Sequence, residues 1–237
     1  MKMRIVKTLM KKDFKTCIYN KNILLVLAMP MLFCILYCYV LGDAMKAEYV
    51  LQMCSIFTIS MIPTSVLPMM IAEEKEKYTL RSLMLANVRG MEFLGSKLVV
   101  CMLLTLFDAV CVFGIAGGEG KDLPVYLVAL LISTCGILFL GAVAGLLSKD
   151  QTSAGTMGSP LLMLVMIPPL FASMNKTIEK IAVVLPTTSF MTILKSCTDG
   201  KDLVTRDNLL ALLVCVVWII AGYIIFHIFY QRKGMDY

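Results

Sequence analysis

Few residues in this sequence have the types and spacing that chemistry at an active site requires. The chain has one histidine, His227, and a single histidine supplies too few ligands to hold a zinc ion. Ser159 follows a glycine, but Pro160 stands where a rhomboid-like nucleophile turn has a second glycine. Because nucleophile, base and oxyanion donor do not come together in the pattern, the sequence predicts no enzyme.

Glu73 and Glu74 invite comparison with intramembrane proteases that combine two glutamates with histidines. Those proteases need an arginine four residues after the second glutamate, where this sequence has Tyr78, and more than one histidine. A phosphate-binding G-x-x-x-x-G-K-[ST] loop is also missing, since Gly120-Lys121 and Gly200-Lys201 are each followed by aspartate. The chain is therefore expected to bind no cofactor, and any active process must draw its energy from another subunit or an ion gradient.

Asp108 lies deep in an apolar segment. An aspartate near the centre of a membrane helix costs about 2.5 to 3.5 kcal/mol on insertion scales, so it must face protein or water. Two roles stay open: a hydrogen bond to Thr105 one turn earlier or to a neighbouring helix, and a place in a translocation path. The second segment is rich in hydroxyls, and Ser55 and Thr58 are its candidate path residues.

The composition places these residues in lipid. Apolar residues make up 59% of the 237 and charged residues 16%, against roughly half and a quarter in soluble domains. The shortest apolar block has 19 residues and reaches roughly 28 Å as a helix, close to the roughly 30 Å hydrocarbon core. Strands of this length do not satisfy the backbone in lipid. We predict an all-α integral membrane protein, one domain over 1–237, with spans at 23–41, 50–72, 98–116, 123–147, 154–173 and 209–229.

Lysine and arginine placement predicts the orientation. With six spans, 15 of the 22 basic residues lie on the side of the N-terminus, and cytoplasmic loops retain such residues. Both termini are therefore expected in the cytoplasm. The first apolar run is too long for a signal-peptide core, so cleavage is not expected. The nine cysteines and 19 methionines show no metal-ligand spacing.

Three pieces outside the spans have recognisable patterns. Residues 1–22 predict an amphipathic helix that lies flat on the inner leaflet. Its apolar face holds Ile5, Val6, Leu9, Met10, Phe14 and Cys17, and its basic face holds Arg4, Lys7, Lys11, Lys12 and Lys15. Residues 73–97 form the longest cytoplasmic loop and residues 175–207 the longest outer one. Glycines at 141, 145, 155 and 158 predict close helix packing.

The stretch 71–97 resembles the cytoplasmic loop of type-two ABC exporter permeases, the class of drug, antibiotic-peptide and sodium efflux systems. The matching residues are Glu74, Glu76, Thr79, Leu80, Leu83 and Lys97. Tyr78 stands where glycine is usual in that loop, and Asn87 where proline is common. Residues 178–197, including Leu185-Pro-Thr-Thr-Ser189, resemble the paired short helices that dip back into the membrane from outside in this family.

The resemblance implies a mechanical role for 73–97. A coupling helix there would sit in a groove of a separate ATP-binding subunit, which holds ATP and magnesium, and would pass its movement to the second span. The implied coupling residues are Glu73, Glu74, Glu76, Thr79, Leu80, Arg81, Leu83 and Met84.

The resemblance also implies partners and a location. A second permease chain, identical or homologous, would pair with the first in a bacterial plasma membrane. Nucleic acid is not expected as a partner for a separate reason, because the basic residues cluster beside the apolar blocks and form no single soluble basic face. The substrate exported would be hydrophobic, peptide-like or small. An ion-gradient-driven carrier or channel is the first alternative function, and an intramembrane enzyme is the second.

Overall fold

Every regular element of the chain is a helix in the computed structural model, which describes residues 3–41, 47–79, 85, 88, 90–200, 202 and 204–233. The α-helices are α1 (Met3–Tyr19), α2 (Lys21–Leu41), α3 (Ala47–Met61), α4 (Leu67–Glu76), α5 (Gly90–Ile115), α6 (Leu123–Leu147), α7 (Gln151–Phe171), α8 (Lys176–Ala182), α9 (Pro186–Thr198) and α10 (Arg206–Lys233). A π-helical turn, Ile62–Val66, joins α3 to α4, and a 3₁₀ turn, Ala172–Met174, follows α7.

Six helices of the described chain are long and apolar enough to cross a membrane. They are Lys21–Val40, Ala47–Glu76, Glu92–Ile115, Leu123–Leu147, Gln151–Phe171 and Arg206–Gln231, which we number as spans one to six. Helices satisfy their own backbone hydrogen bonds, as a segment in lipid must. The predicted all-α, six-span fold is confirmed.

The loop predicted over 73–97 is shorter in the structure. α4 continues to Glu76, and α5 begins at Gly90, so helical structure occupies both edges of the predicted loop. The charged side chains at these edges pair with groups on neighbouring helices. Because their charges are matched inside the bundle, these residues can belong to helices and need not lie in a solvent-exposed loop. The central part of the predicted coupling helix, residues 80–84, 86, 87 and 89, lies outside the described residues.

The second span forms the centre of the bundle. Most of its residues are buried, whereas α2, α7 and α10 bury only about a fifth of theirs. It contacts α2, α5, α6, α7 and α9. Any displacement of this span must therefore be accommodated by most of the other spans.

Glycines allow the neighbouring helices to approach the second span closely. A Cβ atom added at Gly141 of α6 would collide with the carbonyl oxygen of Pro63, and one at Gly158 of α7 with that of Thr64. At Gly145, the added atom would lie 2.9 Å from the Cβ of Ile71. The predicted small-residue faces therefore meet the second span at its π-helical turn and just beyond it.

The short helices α8 and α9 form a pair bent by 91°. The indole Nε1 of Trp218 donates a 2.7 Å hydrogen bond to the carbonyl oxygen of Val184, which lies between the two helices. Trp218 lies 12 residues after the start of α10, about 18 Å along the helix axis. The connection thus reaches about halfway along the sixth span, as the resemblance of residues 178–197 implied.

Candidate functional site

Charged side chains from α1, α4 and α5 converge where the second span ends. Lys97 is only 2% exposed, and its Nζ lies 3.0 Å from Asp13 Oδ1 and 3.3 Å from Glu74 Oε1. Lys12 Nζ lies 2.6 Å from the same Glu74 oxygen. We name Lys12, Asp13, Glu74 and Lys97 the ionic cluster. Its two cations and two anions balance, which is the condition under which buried charges are tolerated.

Polar neighbours complete the ionic cluster. Ser96 Oγ donates to Asp13 Oδ2 at 3.0 Å, and Thr79 Oγ1 donates to Glu74 Oε2. The Lys97 ammonium also lies 4.9 Å from the ring centre of Phe93, a cation–π distance. These bonds tie the N-terminal helix, the second span and the third span into one unit.

Glu73 makes a second set of bonds beside the ionic cluster. Its Oε2 accepts a 2.7 Å hydrogen bond from Asn20 Nδ2, which also donates to Gln151 Oε1 at 2.9 Å. Lys77 Nζ donates to Glu73 Oε1, and this bond raises the pKa of Lys77. Asn20 Oδ1 in turn accepts from the backbone N–H of Asn22, so this residue joins the starts of the first and fifth spans to the end of the second.

The last turn of the second span also holds two helix ends. Lys75 Nζ donates at 2.6 to 3.2 Å to three carbonyl oxygens at the end of α6, those of Gly145, Leu146 and Ser148. Glu76 Oε2 accepts from the backbone N–H of Gln151, the first residue of α7, at 3.1 Å. A cation at a helix C-terminus and an anion at a helix N-terminus both complement the helix dipole. The second span therefore also fixes the connection between the fourth and fifth spans.

Asp150 caps the start of α7 at the same place. Its Oδ1 accepts a 2.7 Å hydrogen bond from the backbone N–H of Ser153, while the Ser153 hydroxyl oxygen accepts from the Asp150 backbone N–H at 3.0 Å. The bond from Ser153 lowers the pKa of the Asp150 carboxyl. This reciprocal capping ends the connection from α6 sharply and lets α7 begin beside Glu76.

The predicted coupling residues divide into two groups. Glu73 and Glu74 are 3% and 4% exposed and bind other helices of this chain, Glu76 binds α7, and Thr79 binds Glu74. Leu80, Arg81, Leu83 and Met84 lie outside the described residues. The four described residues thus make intramolecular contacts in the structure, and their part in coupling to another subunit stays a prediction.

Sequence reasoning did not predict that Lys97 pairs with Asp13 and Glu74. Asp13 lies on the apolar face of α1, one turn after Leu9 and one turn before Cys17, and all three are buried. An acid in the middle of an apolar face signals a buried cation elsewhere. Lys97, at the start of the third apolar segment, is the cation that pairs with Asp13.

The apolar face of α1 packs on protein, where the sequence pattern predicted contact with lipid. Val6, Leu9 and Cys17 are buried, and the helix packs mainly against α5. Burial raises the pKa of the Cys17 thiol to about 12. The helix itself is amphipathic as predicted, but lipid and a protein interior are both apolar, so the pattern could not distinguish them.

The candidate path residues lie inside the bundle. Thr58 Oγ1 donates a 2.6 Å hydrogen bond to Asp108 Oδ2, and both side chains are fully buried. Ser55 Oγ bonds the carbonyl oxygen of Leu51 at 2.6 Å and lies 2.9 Å from the hydroxyl of Tyr126. Their role in a path stays a prediction.

The hydrogen bond of Asp108 corrects one expectation. Thr105, which was considered as its partner, donates instead to the carbonyl oxygen of Cys101 at 2.9 Å, and the partner on a neighbouring helix is Thr58. Asp108 Oδ1 has no hydrogen-bond partner within the part of the chain that the structure describes. The described residues also contain no group of three His, Cys, Asp or Glu side chains placed to hold a metal ion.

A family model described as "ABC-2 family transporter protein" matches residues 43–229, about four fifths of the chain. The chain belongs to the ABC-2 family of transporters. A comparison with curated proteins gives no match. The resemblance of residues 71–97 to a type-two ABC permease is thereby confirmed, and the chain is a multi-pass membrane subunit of an ABC transporter. The ionic cluster joins Lys12 and Asp13, which precede the matched region, to Glu74 and Lys97 within this ABC-2 permease.

Proposed function

We propose that this ABC-2 permease is the membrane half of an exporter driven by ATP hydrolysis in a separate subunit. That subunit, which would hold ATP and magnesium, docks on the segment between Lys77 and Gly90. The observation that carries the proposal is the set of bonds at the end of the second span, immediately before this segment. In the sequence the segment directly follows the most buried span of the bundle, whose last turn is bonded to α1, to Asn20 just before α2, to α5 and to α7.

The bonds of the last turn support mechanical transmission. Separating Glu74 from Lys97 would leave buried charges unmatched, so a displacement of one residue is expected to carry the other with it. A pull on Thr79 reaches Glu74 through their hydrogen bond, and a pull on Lys77 reaches Glu73. Docking and release of an ATP-binding subunit would thus shift the end of the second span, together with the helix ends that Lys75 and Glu76 hold.

A second permease chain, identical or homologous, is proposed to pack on the exposed face of α7. This face carries exposed hydroxyls at Thr152, Thr156 and Ser159, beside exposed apolar residues such as Met157 and Met163. Thr156 and Ser159 bond carbonyls of their own helix, which lets them face either lipid or protein. Mixed polar and flexible apolar side chains suit a path for a hydrophobic, peptide-like or small substrate between two chains.

The charge distribution supports an orientation with both termini in the cytoplasm of a bacterial cell. Fusing a fluorescent protein that matures only in the cytoplasm, or a phosphatase that is active only outside, to the C-terminus of the full chain tests it. Fluorescence without phosphatase activity is expected. The opposite pattern would place the segment 77–90 outside the cell, away from ATP, and would remove the proposed coupling.

Docking is tested by co-expressing the chain with a candidate ATP-binding subunit from a neighbouring reading frame and measuring association and ATP hydrolysis. We expect Leu83→Ala and Arg81→Ala each to weaken association, by roughly tenfold if they are central contacts. Val204→Ala, which changes an exposed apolar residue between α9 and α10, is the control. Association and hydrolysis unchanged in both loop variants would contradict docking on this segment.

A further inference from the structure

We propose that a pocket between α1 and the end of the second span binds the anionic headgroup of a phospholipid. The cavity has a volume of about 310 Å³. Its lining includes Lys12, Lys15, Tyr19, Asn20, Glu73 and Lys77. The site shares Glu73 and Lys77 with the proposed transmission route, but lipid binding there does not require an ATP-binding subunit to dock on the chain.

The charge of the pocket favours an anion. Three lysine ammonium groups line it, against one carboxylate, that of Glu73. Glu73 is almost fully buried and already accepts bonds from Asn20 and Lys77, so its charge is largely matched within the protein. Lys12 and Lys77 are paired with Glu74 and Glu73, so the charge left for an anion is that of Lys15.

The lysines retain donors for a ligand. An ammonium group has three N–H donors. Lys12 and Lys77 each bond one carboxylate, and their side chains remain 38% and 61% exposed. Lys15 lies over the ring of Tyr19, at 5.9 Å from its centre, on the exposed side of α1. These lysines reach one cavity from α1 and from the turn after the second span, an arrangement that suits the several oxygens of one phosphodiester.

The position of the pocket indicates that the anion belongs to a lipid. The first span begins at Lys21 and the second ends at Glu76, so the pocket lies at the level where both helices leave the hydrocarbon core. Exposed apolar side chains lie within five positions of the pocket residue Asn20 in the sequence, namely Ile18, Tyr19, Leu24 and Leu25, each more than half exposed. Acyl chains would cover this surface while the headgroup occupies the pocket.

A soluble anion would use only part of this surface. Inorganic phosphate could contact the lysines, but it would leave Ile18, Leu24 and Leu25 uncovered and would gain nothing from them. A phospholipid gains from both. Bound in this way, it would also bridge α1 to the second span beside the ionic cluster.

The site is tested on the purified full-length chain in mild detergent. Thermal unfolding is followed by the fluorescence of Trp218, the one tryptophan, during titration with phosphatidylglycerol, phosphatidylcholine or inorganic phosphate. Phosphatidylglycerol is expected to raise the unfolding temperature at lower concentrations than phosphatidylcholine, and phosphate is expected to have little effect. Equal stabilisation by inorganic phosphate, or by phosphatidylcholine, would overturn the proposal of an anionic lipid.

Variants locate the lipid. Lys15→Gln should weaken phosphatidylglycerol binding roughly fivefold, and Lys15→Gln combined with Lys77→Gln about 25-fold, since each lysine near an anionic surface contributes a similar increment. Lys15→Arg, which keeps the charge, should bind as the unmodified chain does. The matched control removes two exposed lysines of α8 instead, Lys176→Gln with Lys180→Gln. If the double variant fails to fold, Lys15→Gln decides alone, and binding unchanged in that variant overturns the assignment to this pocket.

Discussion

Lys97 shows how a full charge is kept inside this protein. Its ammonium group lies between Asp13 and Glu74, with the Phe93 ring against it, and no more than 2% of the residue is exposed. A buried pair adds little net stability compared with apolar residues of the same volume, but it becomes costly once one partner is removed. The ionic cluster therefore specifies where α1 docks more than it stabilises the bundle.

Lys97→Met is expected to lower the free energy of unfolding by about 3 to 5 kcal/mol, because Asp13 and Glu74 would lose their shared buried cation. The measurement is thermal or denaturant unfolding in detergent, followed by Trp218 fluorescence. Lys121→Met is a matched control, since Lys121 also forms an ion pair, 2.6 Å from Glu119, but both side chains are exposed. Adding Asp13→Asn to Lys97→Met should recover part of the loss. Equal, small effects of Lys97→Met and Lys121→Met would show that burial of the cluster does not matter.

Asp108 is the other residue whose role can be decided by substitution. Asp108→Asn should leave stability unchanged or higher, because a neutral amide costs less to bury and still accepts the bond from Thr58. Thr58→Val should lower the free energy of unfolding by about 1 to 3 kcal/mol, since it leaves the buried carboxyl without its partner. Unfolding experiments on both variants test these expectations.

Asp108→Asn also distinguishes the proposed exporter from a gradient-driven carrier. Transport driven by ATP should survive Asp108→Asn. Loss of transport under an imposed proton or sodium gradient in this variant, with folding intact, would instead support a carrier in which Asp108 binds the coupling ion.

Among the elements, the second span is defined by how closely its neighbours approach it. Its π-helical turn contains Pro63, and Pro68 follows about one turn later. The regular α-helical hydrogen bonding is therefore interrupted where α6 and α7 pack against this span. Proline lacks the N–H that would bond an earlier carbonyl, and π-turns inside α-helices are frequently found at functional sites. Gly141 and Gly158 face the carbonyls of Pro63 and Thr64 there. The helix packing thus accommodates an irregular turn in the central span.

Gly158→Ala is expected to lower the free energy of unfolding by about 1 to 3 kcal/mol, because the new methyl group would overlap the carbonyl oxygen of Thr64. Gly155→Ala is the control in the same helix. A Cβ at Gly155 would meet only the Cε of Met69, at 3.8 Å, so this variant should be neutral or up to about 1 kcal/mol more stable through higher helix propensity. Thermal unfolding of the two variants measures the difference, and equal effects would contradict the close approach of α7 to the second span.

For the whole molecule, the arrangement leaves some spans exposed around a buried centre. α2, α7 and α10 bury few of their residues, and α7 alone of these three combines exposed Thr152, Thr156 and Ser159 with exposed methionines. An apolar face such as that of α10 suits lipid, whereas the mixed face of α7 suits a second chain with a path between them.

A photo-crosslinking amino acid at Met157 of α7 should therefore join two copies, giving a band at twice the mass of the chain in membranes. The same probe at Leu213 of α10, which is also exposed, is the control and should give mainly lipid adducts. Crosslinking from Leu213 but not from Met157 would move the interface to α10. Monomers alone from both positions would argue against a pair of chains in contact through either helix.

Much of this architecture could be predicted from the sequence. The number of spans, their helical nature and the bent pair before the sixth span were confirmed, because the transfer of a segment into lipid depends on its own length and composition. The membership in a type-two ABC permease family also followed from local residues, those around Glu74 and Thr79, and the family match confirms it.

The pairing of polar groups was decided only by the tertiary structure. Asp13 with Lys97, Thr58 with Asp108, and Lys75 with the end of α6 are contacts between residues at least 50 positions apart. Composition shows which groups must leave water, but which buried donor meets which acceptor depends on how helices rotate and pack. For the same reason, the amphipathic pattern of α1 determined that one face is covered by apolar material, and only the packing against α5 decided that protein covers it.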